Sequence, residues 1–352
     1  MKRYRIEVFD RDLSFRFFSE IEEPGIYLDA LVQTDSTVIC PGKVEPHRGD
    51  YIQIRIDGHV YYQGIVSDSQ FDGSKTQITI QQMSALFNTE VFADVSLLSS
   101  KTIEQWLSDL ITATFAGSDS FENLPGLTVN VISSTSGSHT ASDSGAYNLY
   151  DLITSFFKVY GVITDIQFDP ASAAVTVDLK AVDEADVWKL NLAVSDVSSY
   201  DVQKSIDADS PNKMVIKNED DLSQSLTYYW HPTDFSGSVD TDGSTNRVVP
   251  VITACETVQV DEGDTFANAS YQAAVNKMYA TRYDDLITVV FKAESKLMPV
   301  GQIGQLYTLI EGDNEYNTML TGIHAVNMAY VELTFGYVRK RLTQILKIRR
   351  QS

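Results

Sequence analysis

The sequence predicts a mainly β protein with α+β insertions, in which two similar β modules, each a barrel or a sandwich, flank a mixed α/β middle region. Three observations support this prediction. The 352 residues are rich in β-branched and aromatic side chains, including 18 Tyr and 16 Phe, which fit the half-buried surface of a pleated sheet. Two distant stretches follow one plan of strands and turns, and the residues between them change to helical spacing. The apolar content of 43% is enough for packed cores in about two or three domains.

The repeated plan is a hairpin followed by a third strand. Its two copies comprise strands at 51–56, 60–66 and 76–82, and strands at 306–310, up to Gly322-Ile323, and at 330–335. The first hairpin turns at Asp57-Gly58, a typical hairpin dipeptide. A glycine inside a strand often marks a bulge or a close backbone approach. Because Gly64 and Gly322 stand at matching places in the two sequence patterns, we predict that both are structural bends.

The remaining strands of the first domain are predicted at 3–9, 13–18, 26–33 and 36–40. Turn dipeptides separate the strands of this domain at Pro24-Gly25, Pro41-Gly42, Asp57-Gly58 and Asp72-Gly73. Strand 51–56 alternates Ile with polar or aromatic residues, which indicates one face on a core and one face toward water.

Three amphipathic helices are predicted from apolar residues at helical spacing. The first runs from Thr102 to Phe115 and begins with a capping box between Thr102 and Gln105. The second covers 149–160, with Asn148 as its N-cap and Gly161 at its end. The third covers about 270–282, with Ser270 as its cap.

Strands and loops fill the rest of the middle region. We predict strands at 162–168, 173–179, 213–217, 225–230 and 286–291. The polar stretches at 117–145 and 231–247 are predicted to be exposed loops or disordered segments. The resulting domain boundaries are 1–98 for the first β-barrel module and 99–210 for an α+β insertion with two helices. Residues 211–283 hold mixed strands, an exposed loop and a helix, part of which could belong to the second barrel. Residues 284–352 form the second β-barrel module with a basic C-terminal segment.

Charge and cysteine usage exclude several classes of protein. A formal net charge of −21 opposes general binding to nucleic acid, because neutralising phosphates requires Lys and Arg. The N-terminal residues lack the apolar core of a secretory signal, and no apolar run has the roughly 20 residues of a membrane helix, so we expect a soluble protein made in the cytoplasm. Cys40 and Cys255 are far apart and are expected to be two buried free thiols.

The C-terminal segment reverses the charge of the rest of the chain. It contains six basic residues and no acidic ones: Arg339, Lys340, Arg341, Lys347, Arg349 and Arg350. Such a segment on an acidic protein could contact the next subunit or an acidic face of a partner, or it could be a solvated terminus.

Signatures of catalysis and of metal binding are absent from the sequence. The five histidines are scattered, and none belongs to the H-E-x-x-H pattern that brings two imidazoles to one metal ion. The acidic loop from Asp240 has Thr245 and Val251 where a calcium loop requires Gly and Glu. We therefore expect no catalytic residue, no cofactor and no bound metal.

The order of parts resembles the baseplate hub family of tailed phages. That family includes the trimeric hub of contractile tails, the N-terminal hub part of siphophage tail-associated lysins, and the base of type VI secretion spikes. The resemblance extends over both β modules, the two first helices and the strands at 212–230, with local similarity at Gly64-Ile65, Gly322-Ile323 and Pro299 to Gly304. It implies two β-barrels separated by α+β insertions, and three chains whose six barrels form a pseudo-sixfold ring.

The resemblance also implies a function and a location. The protein would be a non-enzymatic virion structural protein, a homotrimeric hub in the tail, made in the host cytoplasm. Its partners would be a distal tail ring above and a tip or fibre protein below, with no specific nucleic-acid binding and no membrane insertion. Two alternatives stay open: a tail-associated cell-wall hydrolase, either an endopeptidase or a glycosidase, and a carbohydrate-binding baseplate module that uses Tyr228, Tyr229 and Trp230.

Overall fold

The protein is mainly β, as predicted, with a few helices between its sheets. The computed structural model describes residues 4–94, 101–135, 144–203, 211–231, 238–243, 251–260, 263–283, 285–292, 302–327 and 329–338. The largest sheet extends through both ends of the chain, and three smaller sheets belong to the residues between them. The predicted arrangement of two β regions around an α+β middle is confirmed.

The first module is an antiparallel sheet packed around one apolar core. Its strands are β1 (Tyr4–Phe9), β2 (Phe15–Glu20), β3 (Glu23–Asp29), β4 (Ser36–Pro41), β5 (Tyr51–Ile56), β6 (His59–Phe71) and β7 (Lys75–Gln82). They pair in the order β3-β4-β7-β6-β5-β1-β2. Alternating Ile and Val side chains of these strands are fully buried in the core, as Ile6, Ile54 and Ile78 show. The period-2 pattern of the sequence therefore fixes which face of each strand lies inside.

One predicted turn of this module is wrong. Pro24 and Gly25 lie inside β3, where they pair with Val38 and Thr37 of β4. Among the described strands this part of β3 pairs with β4 alone, and a strand with one unpaired side is where proline is tolerated in a sheet.

The middle region alternates strands with two helices. Its elements are a short 3₁₀ helix (Met83–Phe87), β8 (Glu90–Ala93), α1 (Ile103–Phe115), β9 (Thr128–Val131), β10 (Gly145–Asn148), α2 (Leu149–Tyr160), β11 (Val162–Asp169) and β12 (Ala174–Ala181). Strand β12 pairs antiparallel with β11 and parallel with β9, and β8 pairs with β10. The predicted capping box of Thr102 and Gln105 is present, and Gly161 ends α2 at φ +68°. Both helices pack their apolar faces into one core.

The rest of the chain forms a second module, with a separate small sheet inserted between two of its strands. Its elements are β13 (Val187–Asn191), β14 (Val197–Gln203), β15 (Lys213–Asn218), β16 (Ser225–His231), β17 (Ser238–Asp240), β18 (Thr253–Val258), α3 (Phe266–Tyr279), β19 (Leu286–Lys292), β20 (Leu306–Glu311), β21 (Asn314–Ala325) and β22 (Tyr330–Phe335). Six of these strands pair in the order β14-β19-β22-β21-β20-β13. Strands β13 and β14 are absent from the sequence-based prediction. These two strands belong to the sheet of the second module although they precede residue 284, the predicted start of that module. The predicted domain boundaries stay a prediction.

The excursion between β14 and β19 is a small sheet covered by α3. Its strands pair in the order β17-β16-β15-β18, and Ala274 and Met278 of the helix are buried against it. The predicted cap of this helix is wrong: Thr265 caps it, accepting the Asn268 N–H at 3.2 Å. Ser270 is buried inside the helix, where its hydroxyl donates to a backbone oxygen one turn back.

The two modules share a strand order. In space the first module reads β3-β4-β7-β6-β5-β1 and the second reads β14-β19-β22-β21-β20-β13. Equivalent strands of the two modules also follow one another in the same order along the chain: β1, β3, β4, β5, β6, β7 in the first and β13, β14, β19, β20, β21, β22 in the second. The two modules also share an irregularity in strand pairing. Strand β6 has a register shift between Val66 and Asp68, and β21 has one at the equivalent place, between Leu320 and Gly322. Strand direction differs only in the last pairing: β1 runs antiparallel to β5, whereas β13 runs parallel to β20.

Candidate assembly interface

The two modules are joined by direct strand pairing. Strand β3 pairs with β4 through its first three residues and then crosses to β21, where Ile26 to Asp29 oppose Ala325 to Gly322. The Ala30 N–H continues this ladder by donating to the Thr321 carbonyl at 2.9 Å. We call this pairing the seam. It makes a single continuous sheet out of two modules, so their relative position is set by backbone hydrogen bonds.

An aromatic stack lies at the centre of the seam. The rings of Tyr27 and His324 are 3.6 Å apart between centroids and inclined by only 15°. Burial lowers the pKa of His324 to about 4 and raises the pKa of Tyr27, with a further contribution from the charge of Glu332. Glu332 stands opposite His324 on β22, and burial raises the pKa of its carboxyl. The seam therefore holds a neutral imidazole beside a carboxylate in partly apolar surroundings.

Side-chain hydrogen bonds hold the end of β3 in place. The Asp29 carboxylate accepts the backbone N–H groups of Leu31 and Val32 at 2.8 and 3.1 Å. The side chain of Gln82, at the end of β7, accepts the Asp29 N–H at 2.9 Å and donates to the Val32 carbonyl at 3.1 Å. Gln82 is buried, and it links the chain leaving β3 to the first module. These bonds satisfy backbone groups where the strand crosses from one module to the other.

Gly64 packs against neighbouring backbone and side chains. A Cβ atom at this position would lie 2.5 Å from the Gln81 carbonyl oxygen and 2.6 Å from Cγ2 of Ile80. Gly64 itself lies before the register shift of β6.

Gly322 follows the register shift of β21 and faces the seam. A Cβ atom there would lie 3.2 Å from both Asp29 Oδ2 and Thr334 Cβ.

The pairing registers correct the match between these two glycines. Gly64 opposes Ile52 of β5, and the residue at the equivalent place in β21 is Thr318, opposite Tyr307 of β20. Gly322 corresponds to Asp68, since each follows the shared register shift by one step. The alignment suggested by the sequence, which matches Gly64 with Gly322, therefore differs by four residues from the alignment given by the strand pairing. A bending role for each glycine stays a prediction.

The other predicted contact residues fall outside the described part of the chain. These are the basic residues of the C-terminal segment, Arg339, Lys340, Arg341, Lys347, Arg349 and Arg350. Their role stays a prediction.

The aromatic residues of β16 pack within the small sheet. Tyr228 is buried, with its hydroxyl 2.9 Å from that of Ser270. The Trp230 ring packs edge-on against Tyr279 of α3, at 5.3 Å between centroids. These contacts favour a core role over an exposed sugar platform.

Few features of the described residues indicate chemistry. No group of three or more His, Cys, Asp or Glu side chains in the described ranges is placed to hold a metal ion. None of the helices in those ranges is both long enough and apolar enough to span a membrane. One groove in the described part of the chain lies just beyond the Ile26–Ala325 end of the seam, between Glu22 to Gly25 on one side and Val326, Asn327 and Ala329 on the other.

The two cysteines differ in exposure, in contrast to the prediction. Cys40 is buried in the core of the first module, and burial raises its pKa to about 11. Cys255 is exposed on β18, an edge strand of the small sheet, so the prediction of two buried thiols is wrong for this residue.

The fold is shared with known tail proteins. Comparison with family models and with curated proteins finds no match. Among solved structures, the chain is similar to a tail protein from Neisseria meningitidis MC58, with a TM-score of 0.58 and 12% identity over 95% of this chain and 96% of the other. It is similar to the 43 kDa tail protein of prophage MuSo2 from Shewanella oneidensis, with a TM-score of 0.55 and 13% identity over 96% and 98%.

A third solved structure has the same fold. Prophage tail protein gp18 from Listeria monocytogenes EGD-e matches with a TM-score of 0.52 and 12% identity, covering 98% of each chain. Over at least 95% of its length, the chain therefore has a fold found in tail proteins, two of which come from prophages. The resemblance to the baseplate hub family is confirmed at the level of this fold.

Proposed function

We propose that this protein is a structural component of a phage or prophage tail, and that it acts as a trimeric baseplate or tail-tip hub. Three chains with two equivalent modules each would place six modules in a ring. Such a ring could join a sixfold tail tube to a threefold tip. Its partners would be a distal tail ring on one side and a tip or fibre protein on the other.

The repeated strand order is the observation that carries this proposal. Two modules with the same six-strand order and the same register shift are joined edge to edge within one chain. A contact of that kind can recur between chains, because each module offers similar edges to its neighbours. Repetition of a head-to-tail contact closes into a ring when the rotation per step allows it. The fold shared with three tail proteins supports the same role.

The proposed role is structural and not enzymatic. The side chains at the seam make packing and backbone-capping contacts, which serve to fix the geometry of the sheet. The net charge of −21 suits a ring through which DNA passes, since it repels phosphate groups.

Mass measurement and imaging of the purified protein test the proposal. Light scattering should give about three times the 39.2 kDa of one chain, and negative-stain images should show a ring with six lobes. Obligate interfaces of this type typically bury more than about 2,000 Å², so the trimer should persist on dilution. A monomer at high protein concentration, with no tail partner able to trimerise it, would contradict the proposal.

Two further assays separate the proposed role from its alternatives. Incubation with purified cell wall should release no soluble fragments, whereas a hydrolase would release them. A glycan array should show no signal that depends on Trp230, whereas a carbohydrate-binding module would lose its signal in a folded Trp230→Ala variant.

A further inference from the structure

The edge of β21 that forms the seam has a counterpart in β6, with which no described strand pairs. Strand β6 pairs with β5 up to Ile65, and Val66 then exchanges backbone hydrogen bonds with Gly49 and Asp50. From Ser67 to Phe71 the side of β6 facing away from β7 pairs with no described strand. The equivalent side of β21, beyond the end of β20, is the side that β3 occupies.

Exposure differs accordingly between the two edges. Ala325, at the end of the occupied edge, is 5% exposed, whereas its counterpart Phe71 is 44% exposed. Unpaired N–H and C=O groups along an open strand edge are a ready template for another strand. A large aromatic side chain beside such an edge adds apolar surface that a partner strand would cover.

The strand that would fill this edge can be identified from the same equivalence. In the second module, β14 takes the place of β3: it pairs with β19 as β3 pairs with β4. Strand β3 has β4 on one side and β21 on the other, whereas β14 pairs with β19 alone among the described strands. Among the described residues, the chain therefore presents one strand edge with no paired donor strand, and one donor strand, β14, with no second neighbour.

We propose that β14 of one chain pairs antiparallel with the open edge of β6 in a second copy of the chain. The register follows from the seam. By their pairing with β4 and β19, Ile26 corresponds to Val202, and Tyr27 corresponds to Gln203. By the pairing of β21 with β22 and of β6 with β7, Ala325 corresponds to Phe71, and His324 corresponds to Gln70. Gln203 of one copy therefore opposes Gln70 of the next, and Val202 opposes Phe71.

This pairing is head-to-tail, so it rests on the proposed ring. The first module donates β3 to the second module within a chain, and the second module donates β14 to the first module of the next chain. Each contact has the same direction around the ring, as a heterologous interface requires. Three copies would then be joined into one continuous sheet.

A disulfide between opposing strands tests the register. The Tyr27–His324 pair is a close pair, with its rings 3.6 Å apart, and Gln203 and Gln70 are its counterparts. The test variant is Gln70→Cys with Gln203→Cys, in a Cys255→Ser background that removes the exposed native thiol. Cys40 can stay, because burial raises its pKa to about 11 and keeps the thiol protonated and unreactive. Mild oxidation should give cross-linked dimers and trimers on non-reducing gels, and reductant should reverse them.

A matched control places the second cysteine out of register. Gln70→Cys with Ser199→Cys moves the thiol four residues along β14, about 13 Å away at 3.3 Å per residue. This pair should cross-link at least tenfold less than the in-register pair. If the in-register double variant does not fold, Gln70→Cys and Gln203→Cys chains can be co-expressed as separate single variants, which should cross-link only to each other.

The outcomes distinguish the strand pairing from the ring itself. In-register cross-linking of a trimer, with little in the control, supports both. A trimer that cross-links neither pair, or both pairs equally, overturns the pairing and leaves the trimeric hub standing. A monomer by light scattering overturns the proposed function, and the pairing with it.

Discussion

His324 should make the folded protein sensitive to acid, and a His324→Phe substitution should remove that sensitivity. The imidazole stacks on Tyr27 at the seam, and burial lowers its pKa from 6.5 to about 4. Below pH 6.5 the unfolded chain takes up a proton that the folded chain resists. The stability that this difference contributes is fully present above pH 6.5 and declines as the pH falls toward about 4. Phe keeps an aromatic ring against Tyr27 and cannot be protonated.

The size of the effect follows from the lowered pKa. A fall from 6.5 to about 4 corresponds to at most about 3.4 kcal/mol, at about 1.36 kcal/mol per pH unit. The ring is only half-buried, so solvent screens part of this penalty and we expect about 1–2 kcal/mol between pH 7.5 and pH 4.5. Two groups face the imidazole, Tyr27 from β3 and Glu332 from β22. Burial raises the pKa of Glu332, so its protonation stabilises the fold as the pH falls and opposes the effect of His324.

Urea unfolding followed by tryptophan fluorescence measures the effect, with Trp188 of the second module reporting on that side of the seam. Because Glu332 is present in both proteins, the difference between wild type and His324→Phe isolates the imidazole. The variant should lose about 1–2 kcal/mol less than wild type between pH 7.5 and pH 4.5. His59→Phe, at the exposed tip of the β5–β6 hairpin, is the control and should follow the wild type. Parallel pH profiles for wild type and His324→Phe would refute this account of the seam.

Three further predictions test the packing of the modules. Trp106→Ala should lower the free energy of unfolding by about 3–5 kcal/mol, because the indole is buried and donates to a backbone oxygen; a loss under about 1 kcal/mol in urea unfolding would contradict its core position. Gly336→Ala should cost at least about 2 kcal/mol, since Gly336 has φ +83° and an added Cβ would lie 2.0 Å from the Asp285 carbonyl oxygen; a melting temperature equal to that of wild type would rule this out. Gly64→Val should lower the melting temperature, whereas Gly145→Ala should not, because the nearest atom to its added Cβ is 3.9 Å away; equal melting temperatures would show that the close approach at Gly64 is unimportant.

The sequence predicts best the elements whose signals are local. Helix α1 begins at its capping box, and α2 ends at Gly161 in the left-handed conformation that glycine adopts without strain. The hairpins of both modules are confirmed because alternation and turn residues act over neighbouring residues. In each of these cases a few adjacent residues contain all the information that the backbone needs.

The seam could not be predicted in the same way. Tyr27 and His324 are almost three hundred residues apart, and each alone is an ordinary strand residue. Strands β13 and β14 were missed for a related reason: they are short and largely exposed, and their partners β20 and β19 lie far along the chain. Turn residues also mislead where a partner strand overrides them, as at Pro24 and Gly25.

The places where the two modules differ bear on how they assemble. The first module ends its strand order with the β1–β2 hairpin, and the second ends with β13 running parallel to β20. This difference lies at the opposite end of the strand order from β3 and β14. The parts that agree most closely are the β6 and β21 edges with their common register shift, and the β3 and β14 strands beside β4 and β19. Because a closed ring needs repeated contacts only at the edges that meet, the two modules can differ elsewhere without losing the geometry that three copies would share.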